Sequence, residues 1–369
     1  MRLIRRLYSE LSFTKLKLTQ SSQLKQIPTD FSKLAFGSVY TDHMLEIDWS
    51  EGEGWLTPEI KPYQPLSLDP ACSVFHYCTE CYEGFKIYSN EGRLLAFRPE
   101  MNMNRFNASS TAAGLPACDP NELLKCIESL IKLDKSWVPT IPGYSLYVRP
   151  NMFGTHAQLS VTKPKKAKIV VILSPVGPYF PTGLKPISLY CDEKLIRAWK
   201  GGVGHRKVGG NYATSILHAS RVQEQGYGQI LWLSEGKVTE SGVMNFFIVL
   251  KQKDGLELVT SPVCDVTLPG ITRDSVLQIH RDDGKLKVSE REYSIDEVVQ
   301  AFEENRVVEA FGTGTAAVVC PVNMIAYKGK EYKIPEKAGE IGEITKYTRD
   351  TLMNIQFGLT KHRWNHYIT

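Results

Sequence analysis

The chain has 369 residues, of which 42% are hydrophobic and 23% are charged, an ordinary globular composition. This length exceeds the usual size of one domain, roughly 100–200 residues, so it predicts two domains and a core large enough to enclose a site. The net charge is +4, but residues 1–26 contribute +5, from six basic residues against the single acid Glu10. The remaining chain therefore carries −1, which gives no indication of a nucleic-acid partner.

Residues 1–26 are basic and acid-poor and contain serine and threonine. This composition resembles a mitochondrial transit peptide, which is removed from the mature protein. We therefore expect a leader at 1–26 and a matrix location, with the basic N-terminus of a cytoplasmic protein as the alternative. The sequence has no apolar run near the roughly 18 residues of a membrane span, which predicts a soluble protein without a membrane partner.

The eight cysteines occur without a secretory signal, which indicates reduced thiols in an intracellular protein. Cys78 and Cys81 form one CxxC pair, a spacing found in zinc and redox sites. There is no second pair and no matching set of histidines. The alternation of Phe75, Tyr77 and Tyr82 around the pair instead favours a strand, and we expect no metal.

The first clear helix is predicted to begin after Asp119, which can cap the first turn, with Pro120 at the first helical position. Glu122 would complete a capping box, and apolar residues then recur at helical spacing from Leu123 to Ile131. Two strands should follow, at residues 144–149 and 167–174. The second is continuously apolar, which is typical of a strand buried on both faces.

Residues 177–186 read GPYFPTGLKP and are predicted to link two domains, because proline and glycine interrupt the elements there. We expect a small α+β domain at 27–176 and a large α+β domain at 187–369. Short connections favour antiparallel pairing in the large domain. Its predicted elements are strands at 187–191, 229–233, 244–250 and 256–260, with helices after Asn211 and after Gly270.

The segment GGVGHRKVGGNY, residues 201–212, places Lys207 between two pairs of glycines. Glycines lack side chains and could let a flat cofactor approach the lysine closely. A lysine in such a partly desolvated place beside Arg206 would have its pKa lowered toward nucleophilic use. The alternative is a glycine-rich surface turn with an exposed lysine.

Two further segments carry candidate chemistry. Glu240 precedes an apolar strand, where an acid is usually just the solvated entry to the strand; pyridoxal chemistry, however, needs one carboxylate at the pyridine nitrogen. Residues 268–273 read LPGITR, and the amides of Ile271 and Thr272 could point from a helix N-terminus at a phosphate. Simple helix capping explains that segment equally well when it is taken alone.

Taken together and in this order, the three segments resemble the fold-type IV aminotransferases, the group that contains D-amino acid and branched-chain aminotransferases. The wider segments are similar to eukaryotic branched-chain aminotransferases from about Asp48 to the C-terminus. These segments are YEG at 82–84, FRPEMNMNRF at 97–106, SLYVRP at 145–150, RAWKGGVG at 197–204 and FGTGTAAVVCPV at 311–322.

The resemblance implies a two-domain α+β enzyme of fold type IV that is like D-amino acid aminotransferase and uses pyridoxal 5'-phosphate. It implies reversible amino-group transfer between L-leucine, L-isoleucine or L-valine and 2-oxoglutarate, by a homodimer. Lys207 would hold the cofactor covalently and move the proton, Glu240 would partner the pyridine nitrogen, and Tyr212 the ring hydroxyl. The residues implied on the phosphate side are Arg105, Ile271, Thr272 and Thr315, with Arg197 nearby.

The resemblance also implies a substrate site. Backbone amides at Thr315 and Ala316 would meet the substrate carboxylate, and Val161 would reach across from the partner subunit. The residues implied as the wall of the side-chain pocket are Tyr77, Tyr82, Tyr147 and Arg149. Such a pocket rewards a branched aliphatic side chain by burial, at roughly 0.8 kcal/mol per methylene.

The sequence departs from the family pattern in places. Where vertebrate members often carry a redox-sensitive CxxC, this chain has Ala317 and Cys320, so we expect no such disulfide switch. Tyr82 stands where phenylalanine is common, and Val243 where threonine often sits. Both could tune the site.

Other functions compete with this interpretation. Gly312, Gly314 and Ala317 fit a dinucleotide fingerprint, but the next residues read as a strand rather than the helix it requires. A D-amino acid aminotransferase, an aminodeoxychorismate lyase and an inactive interaction protein on the same scaffold remain open.

Overall fold

The protein is described by a computed structural model that covers residues 10–177, 185–335 and 341–369. Its α-helices, in chain order, are α1 Ser73–Tyr77, α2 Pro99–Ala112, α3 Pro120–Leu133, α4 Gly209–Glu224, α5 Ile271–Asp283, α6 Ile295–Glu303 and α7 Glu343–Gln356. Short 3-10 turns lie at Phe13–Lys15, Phe31–Lys33 and Lys135–Trp137. Within these described ranges, no helix is long and apolar enough to cross a membrane.

The strands fall into two sheets. Those before residue 177 are β1 Lys17–Leu18, β2 His43–Ser50, β3 Gly54–Trp55, β4 Glu59–Pro62, β5 Glu80–Tyr82, β6 Phe85–Asn90, β7 Arg93–Phe97, β8 Ser145–Gly154 and β9 Lys166–Val176. The later ones are β10 Ile187–Cys191, β11 Gln229–Ser234, β12 Lys237–Ser241, β13 Met244–Gln252, β14 Gly255–Thr260, β15 Lys287–Glu290, β16 Val307–Gly314, β17 Val318–Tyr327, β18 Lys330–Lys333 and β19 Asn365–Ile368.

The chain divides into two compact units. The first contains the described residues up to Gly177 together with Arg206–Gly209 and Gln356–Thr369, and the second contains the rest. This division differs from the sequence-based one at two places. Residues 206–209 group with the first unit because Val208 bridges to Cys81. The C-terminal segment does so because β19 pairs with β7.

The first unit is built on a ten-stranded sheet in the order β1-β4-β2-β9-β8-β6-β7-β19, with β3 on β2 and β5 on β8. The predicted burial of both faces of β9 is confirmed. Ile169, Val171 and Leu173 belong to the main core, whereas Val170 packs with Met44 in a smaller cluster.

Helix α3 covers the main core of this unit, as its periodicity predicts. The Asp119 carboxylate accepts hydrogen bonds from the amides of Asn121 and Glu122, which confirms the predicted cap. The Glu122 side chain, expected to close a capping box, instead accepts a hydrogen bond from the Phe13 amide at 2.7 Å. The helix thereby helps to hold the N-terminal segment.

The strand expected around the CxxC pair is only partly correct. Ser73–Tyr77 forms helix α1, Cys78 follows with a left-handed φ of 49°, and only β5 is extended. Burial separates the two thiols, since Cys78 is exposed and Cys81 is fully buried. Among the described residues, no group of three or more His, Cys, Asp and Glu side chains could hold a metal ion.

The second unit is built on a nine-stranded sheet in the order β12-β11-β10-β17-β16-β13-β14-β15, with β18 on β17. An additional pairing of β12 with β13 closes six of these strands into a ring. The expected antiparallel pairing of β13 with β14 is confirmed. Residues 318–321 lie in β17 rather than in a helix, which excludes the dinucleotide fingerprint at 312–317.

The expected linker at 177–186 lies mostly outside the described residues, as do residues 1–9 of the expected leader. For residues 10–26 the structure shows packing that the leader interpretation did not anticipate. Leu11 is 2% exposed in the main core, and β1 pairs with β4. The Ser21 amide donates to the buried imidazole of His43 at 2.8 Å, and the Lys25 amide donates to Asp42 at 2.7 Å.

Because residues 10–26 contribute to the core, their loss should destabilise the protein. We predict that Leu11→Ala lowers the free energy of unfolding by roughly 2–5 kcal/mol. Leu18→Ala, in the same segment but 52% exposed, should change it by no more than about 0.5 kcal/mol. Urea denaturation followed by circular dichroism measures both variants. Equal, small effects would show that the segment is dispensable.

Candidate active site

Lys207 is held by its backbone in the first unit. The Tyr82 amide donates to the Lys207 carbonyl at 3.0 Å, and the Lys207 amide donates to Ser109 Oγ at 3.0 Å. The Lys207 ammonium lies 4.6 Å from the centre of the Tyr82 ring. Lys207 is therefore a half-buried lysine fixed against β5 and α2, rather than an exposed residue of a surface turn.

The glycines around Lys207 serve a different purpose from the expected one. A Cβ on Gly209 would overlap the Glu80 carboxylate, and a Cβ on Gly204 would overlap Ala198 and approach the Asp265 carbonyl at 2.7 Å. Both glycines thus make room for protein atoms. The sequence interpretation had assigned that space to a cofactor.

Glu83 is a site residue that the sequence reasoning did not single out. Its carboxylate is fully buried and receives Arg105 Nε at 2.5 Å, Arg105 Nη2 at 3.0 Å and Asn102 Nδ2 at 2.8 Å. Burial alone would raise the pKa of this carboxyl. The positive charges of Arg105 and Lys207, with these hydrogen bonds, hold the pKa below its ordinary value.

Three of the expected pocket residues form one aromatic and cationic cluster in the first unit. The Arg149 guanidinium lies 4.8 Å from the Tyr82 ring centre and 5.2 Å from that of Tyr147. Arg149 Nη2 also donates to the Tyr147 hydroxyl at 3.2 Å. Phe36 meets Tyr147 edge-on, with ring centres 5.0 Å apart. No local pattern marked Phe36, because its partner is more than a hundred residues away.

The other two expected substrate residues in this unit, Tyr77 and Val161, lie at a more exposed place. The Tyr77 hydroxyl donates to the Leu159 carbonyl, and Val161 is 82% exposed. Phe75 and Leu159 are exposed there as well. Tyr77 therefore anchors a segment that presents apolar side chains outward.

Glu240 is the centre of the second unit's site residues. It is 3% exposed, its Oε2 pairs with Arg197 Nη2 at 2.8 Å, and its Oε1 accepts from the Asn245 side chain at 3.1 Å and the Leu268 amide at 2.9 Å. Arg197, expected beside the phosphate, also donates to the backbone carbonyls of Gly204 and Val266. Glu240 is thus a fixed, buried carboxylate rather than a solvated strand entry.

The predicted N-terminus of α5 lies directly after the loop that contacts Glu240. Gly270 is the N-cap and provides no side-chain hydrogen bond to the first turn, while Ile271 and Thr272 are buried. A Cβ on Gly270 would overlap the Asn245 side chain, which donates to the Leu268 carbonyl at 2.9 Å. Asn245 therefore links the Glu240 carboxylate to a helix end of the kind that binds anions.

The remaining expected residues lie elsewhere in the second unit. Tyr212 is half-buried in the first turn of α4, and Thr315 and Ala316 are half-buried in the turn between β16 and β17. Val243 is 61% exposed. Cys320 is buried, and its burial raises the thiol pKa to about 12, so it is a poor nucleophile at neutral pH.

The expected residues thus form two groups, one in each unit. The group in the first unit is Lys207, Arg105, Tyr77, Tyr82, Tyr147, Arg149 and Val161, and the group in the second is Glu240, Arg197, Tyr212, Ile271, Thr272, Thr315 and Ala316. In or beside the second group, three buried polar atoms have no hydrogen-bond partner among the described residues: Arg197 Nε, Ser241 Oγ and Thr313 Oγ1. Such orphaned atoms around a fixed carboxylate are typical of a ligand site.

A profile of the amino-transferase class IV family matches residues 80–325, which contain Lys207, Glu240 and the start of α5. The chain therefore belongs to the amino-transferase class IV family. Solved structures agree. The branched-chain amino acid aminotransferase of Escherichia coli superposes with a TM-score of 0.68 at 25% identity, covering 88% of this chain and 99% of that one.

A second structure is the branched-chain amino acid aminotransferase of T.th., in complex with N-(5'-phosphopyridoxyl)-L-glutamate. It has a TM-score of 0.69 at 25% identity, covering 88% and 98% of the two chains. Curated relatives are closer in sequence. The branched-chain-amino-acid aminotransferase of Dictyostelium discoideum is 44% identical over 91% of this chain and 90% of its own length. The cytosolic form of Ovis aries is 45% identical over 94% and 91%, and the mitochondrial form of Bos taurus 43% identical over 97% and 93%.

Within the class IV family, the similarity is thus to the branched-chain-amino-acid aminotransferases, which confirms the resemblance and the fold-type IV architecture. The relatives include cytosolic and mitochondrial forms.

The Tyr147 ring depends on the absence of a side chain at Gly84, since a Cβ there would overlap its hydroxyl. We predict that Gly84→Ala displaces Tyr147 and lowers the free energy of unfolding by roughly 1–3 kcal/mol. Gly52→Ala, at a position with open space and no positive φ, is the matched control and should change it by less than about 0.5 kcal/mol. Urea denaturation measures both, and a Gly84→Ala protein as stable as Gly52→Ala would contradict this steric assignment.

Proposed function

We propose that this protein is a pyridoxal 5'-phosphate-dependent branched-chain-amino-acid transaminase. It transfers the amino group reversibly between L-leucine, L-isoleucine or L-valine and 2-oxoglutarate, giving branched-chain 2-oxo acids and L-glutamate. The observation that carries this proposal is Glu240, a buried carboxylate fixed by an ion pair with Arg197 and by two further N–H donors. Those donors stabilise its charged form in a place that excludes water.

The residues of the chain fit the cofactor. A pyridine nitrogen needs one carboxylate to stay protonated, and Glu240 supplies it. A phosphate needs N–H donors and positive charge, which the uncapped first turn of α5 and Arg105 provide, with Thr315 as a further donor. Tyr212 supplies a hydroxyl for the ring oxygen. When bound, the pyridoxal ring supplies an electron sink for the bond that breaks at the substrate Cα.

Lys207 carries out the proton transfer. Its amine holds the cofactor before substrate enters and then takes the proton from the substrate Cα, so the same Nζ atom serves as base and as donor on return. The backbone hydrogen bonds to Tyr82 and Ser109 fix where this side chain starts. The precision of the transfer therefore depends on β5 and α2.

The pocket must accept an aliphatic and an anionic side chain in alternate half-reactions. The ring faces of Tyr82 and Tyr147 favour a branched aliphatic group, at roughly 0.8 kcal/mol per buried methylene. Arg149, which lies over both rings, provides the positive charge that the second carboxylate of L-glutamate or 2-oxoglutarate requires. Tyr77 completes the wall, while the amides of Thr315 and Ala316 receive the substrate's own carboxylate.

We infer that the protein acts as a homodimer. Val161 and Leu159 are 82% and 64% exposed, and Ile216 and Leu217 on α4 are 63% and 56% exposed. Apolar side chains exposed to this degree in clusters are typical of surfaces that a partner covers. Val161 would then reach the pocket of the partner subunit, so dimer formation and substrate selection would be coupled.

The location we propose is the mitochondrial matrix, with the cytoplasm as the alternative. The basic composition of residues 1–26 supports an import signal. Because Leu11 is part of the core, any cleavage should fall before residue 10. N-terminal sequencing of the protein from fractionated cells would test this, and a mature N-terminus beyond Leu11 would contradict it.

The activity is tested by amino transfer from L-leucine, L-isoleucine and L-valine to 2-oxoglutarate, with and without added pyridoxal 5'-phosphate. We predict cofactor-dependent formation of L-glutamate with all three, and loss of activity by orders of magnitude in Lys207→Ala. Lys200→Ala is the matched control because that lysine is exposed and pairs with the surface residue Glu235. Turnover with D-alanine but none with L-leucine would overturn the proposed substrate class.

Glu240→Gln keeps the shape of the side chain and removes its charge. We predict that it slows the chemical step by roughly 100-fold or more while the cofactor stays bound through its other contacts. The measurement is the single-turnover rate at which L-leucine converts protein-bound pyridoxal phosphate to pyridoxamine phosphate. Glu235→Gln, 66% exposed at its side chain, should match wild type. A Glu240→Gln rate near wild type would mean that Glu240 does not partner the ring nitrogen.

A further inference from the structure

The Glu83 carboxylate is fully buried and is surrounded by N–H donors. Arg105 donates through Nε at 2.5 Å to one oxygen and through Nη2 at 3.0 Å to the other, which is a two-point ion pair. Asn102 Nδ2 and the Gly84 amide donate to the second oxygen at 2.8 and 3.0 Å. The guanidinium plane of Arg105 is therefore oriented by this one carboxylate.

Glu83 also adjoins the residue whose backbone and ring hold Lys207. Tyr82 donates its amide to the Lys207 carbonyl, and its ring lies under the Lys207 ammonium. Two cations, Arg105 and Lys207, thus meet in one partly desolvated region. An uncompensated pair of positive charges there would be costly, so an anion at this place has a specific electrostatic use.

We propose that Glu83 is a positioning residue for the transamination: it orients Arg105 for the phosphate of the cofactor and balances the charge of Lys207. This inference rests on the proposed function, which gives Arg105 and Lys207 their roles. It assigns two separable tasks to one side chain. The orienting task depends on the length of the side chain, and the balancing task depends on its charge.

Other charged groups in this unit surround Lys207. Arg206 adjoins it in sequence, and Arg149 lies over the Tyr82 ring. The Glu80 carboxylate is engaged by Asn151 Nδ2 at 3.0 Å and by the Gly209 amide, and its burial raises its pKa. Cations therefore outnumber firmly ionised carboxylates around Lys207. Removal of the Glu83 charge should destabilise the ammonium form of Lys207.

Two variants separate the two tasks. Glu83→Gln keeps the length and removes the charge, whereas Glu83→Asp keeps the charge and shortens the reach to Arg105. The Glu128→Gln variant is the matched control, because Glu128 pairs in the same unit with a different cation, His366.

The balancing task is measured on the full chain freed of cofactor, by the pH dependence of the reaction of Lys207 with a dilute acylating reagent. Mass spectrometry reads the modification at that lysine. In Glu83→Gln the midpoint should fall by about one pH unit, which makes Lys207 about tenfold more reactive near neutral pH. Glu83→Asp and Glu128→Gln should keep the wild-type profile.

The orienting task is measured by the ratio of affinities for pyridoxal 5'-phosphate and pyridoxal, which differ only in the phosphate. Glu83→Asp should lower this ratio by roughly tenfold, since Arg105 loses its two-point contact. Arg105→Lys should lower it by a similar factor, and adding Glu83→Asp to Arg105→Lys should cause little further loss.

The outcomes decide the proposal. If Glu83→Gln leaves the Lys207 profile unchanged, the balancing role is wrong, and if Glu83→Asp keeps the affinity ratio, the orienting role is wrong. Should Glu83→Gln not fold, the ratio in Glu83→Asp and its additivity with Arg105→Lys still decide. Failure of the wild-type protein to bind pyridoxal 5'-phosphate would instead overturn the proposed function, while the Lys207 profiles would still test the charge of Glu83.

Discussion

The cost of burying charge is the constraint on which this structure depends. Two carboxylates, Glu83 and Glu240, are almost completely removed from water, and each is paired with one arginine. A carboxylate in such a place is tolerated only when cations and N–H donors satisfy its oxygens. Both pairs do so with side chains and amides from several elements, so each pair fixes the positions of those elements as well as its own geometry.

Around Glu240 this constraint organises the site of the second unit. The Leu268 amide and the Asn245 side chain both contact the carboxylate, and the same asparagine packs against Gly270 at the N-cap of α5. The position of the carboxylate is thereby linked to the position of a helix end. A ligand that needs an acid at one place and an anion site at another finds both held by one network, which is the preorganisation that catalysis requires.

In the first unit, the same constraint acts beside the lysine. The backbone of Lys207 is fixed by Tyr82 and Ser109, and the adjoining Glu83 pairs with Arg105. The glycines in this region are needed because protein atoms approach them closely, as the overlap of a Gly209 Cβ with the Glu80 carboxylate shows. Close packing rather than flexibility therefore explains the glycine-rich composition of this segment.

Local patterns in the sequence determined the elements and the chemical candidates: the cap at Asp119, the apolar β9, the lysine between glycines and the helix start after Gly270 could all be read from neighbours in the chain. Only the tertiary structure decided the rest. It placed Leu11 in the core and paired Glu83 with Arg105, because these contacts join residues far apart in sequence, and no local period or spacing encodes them.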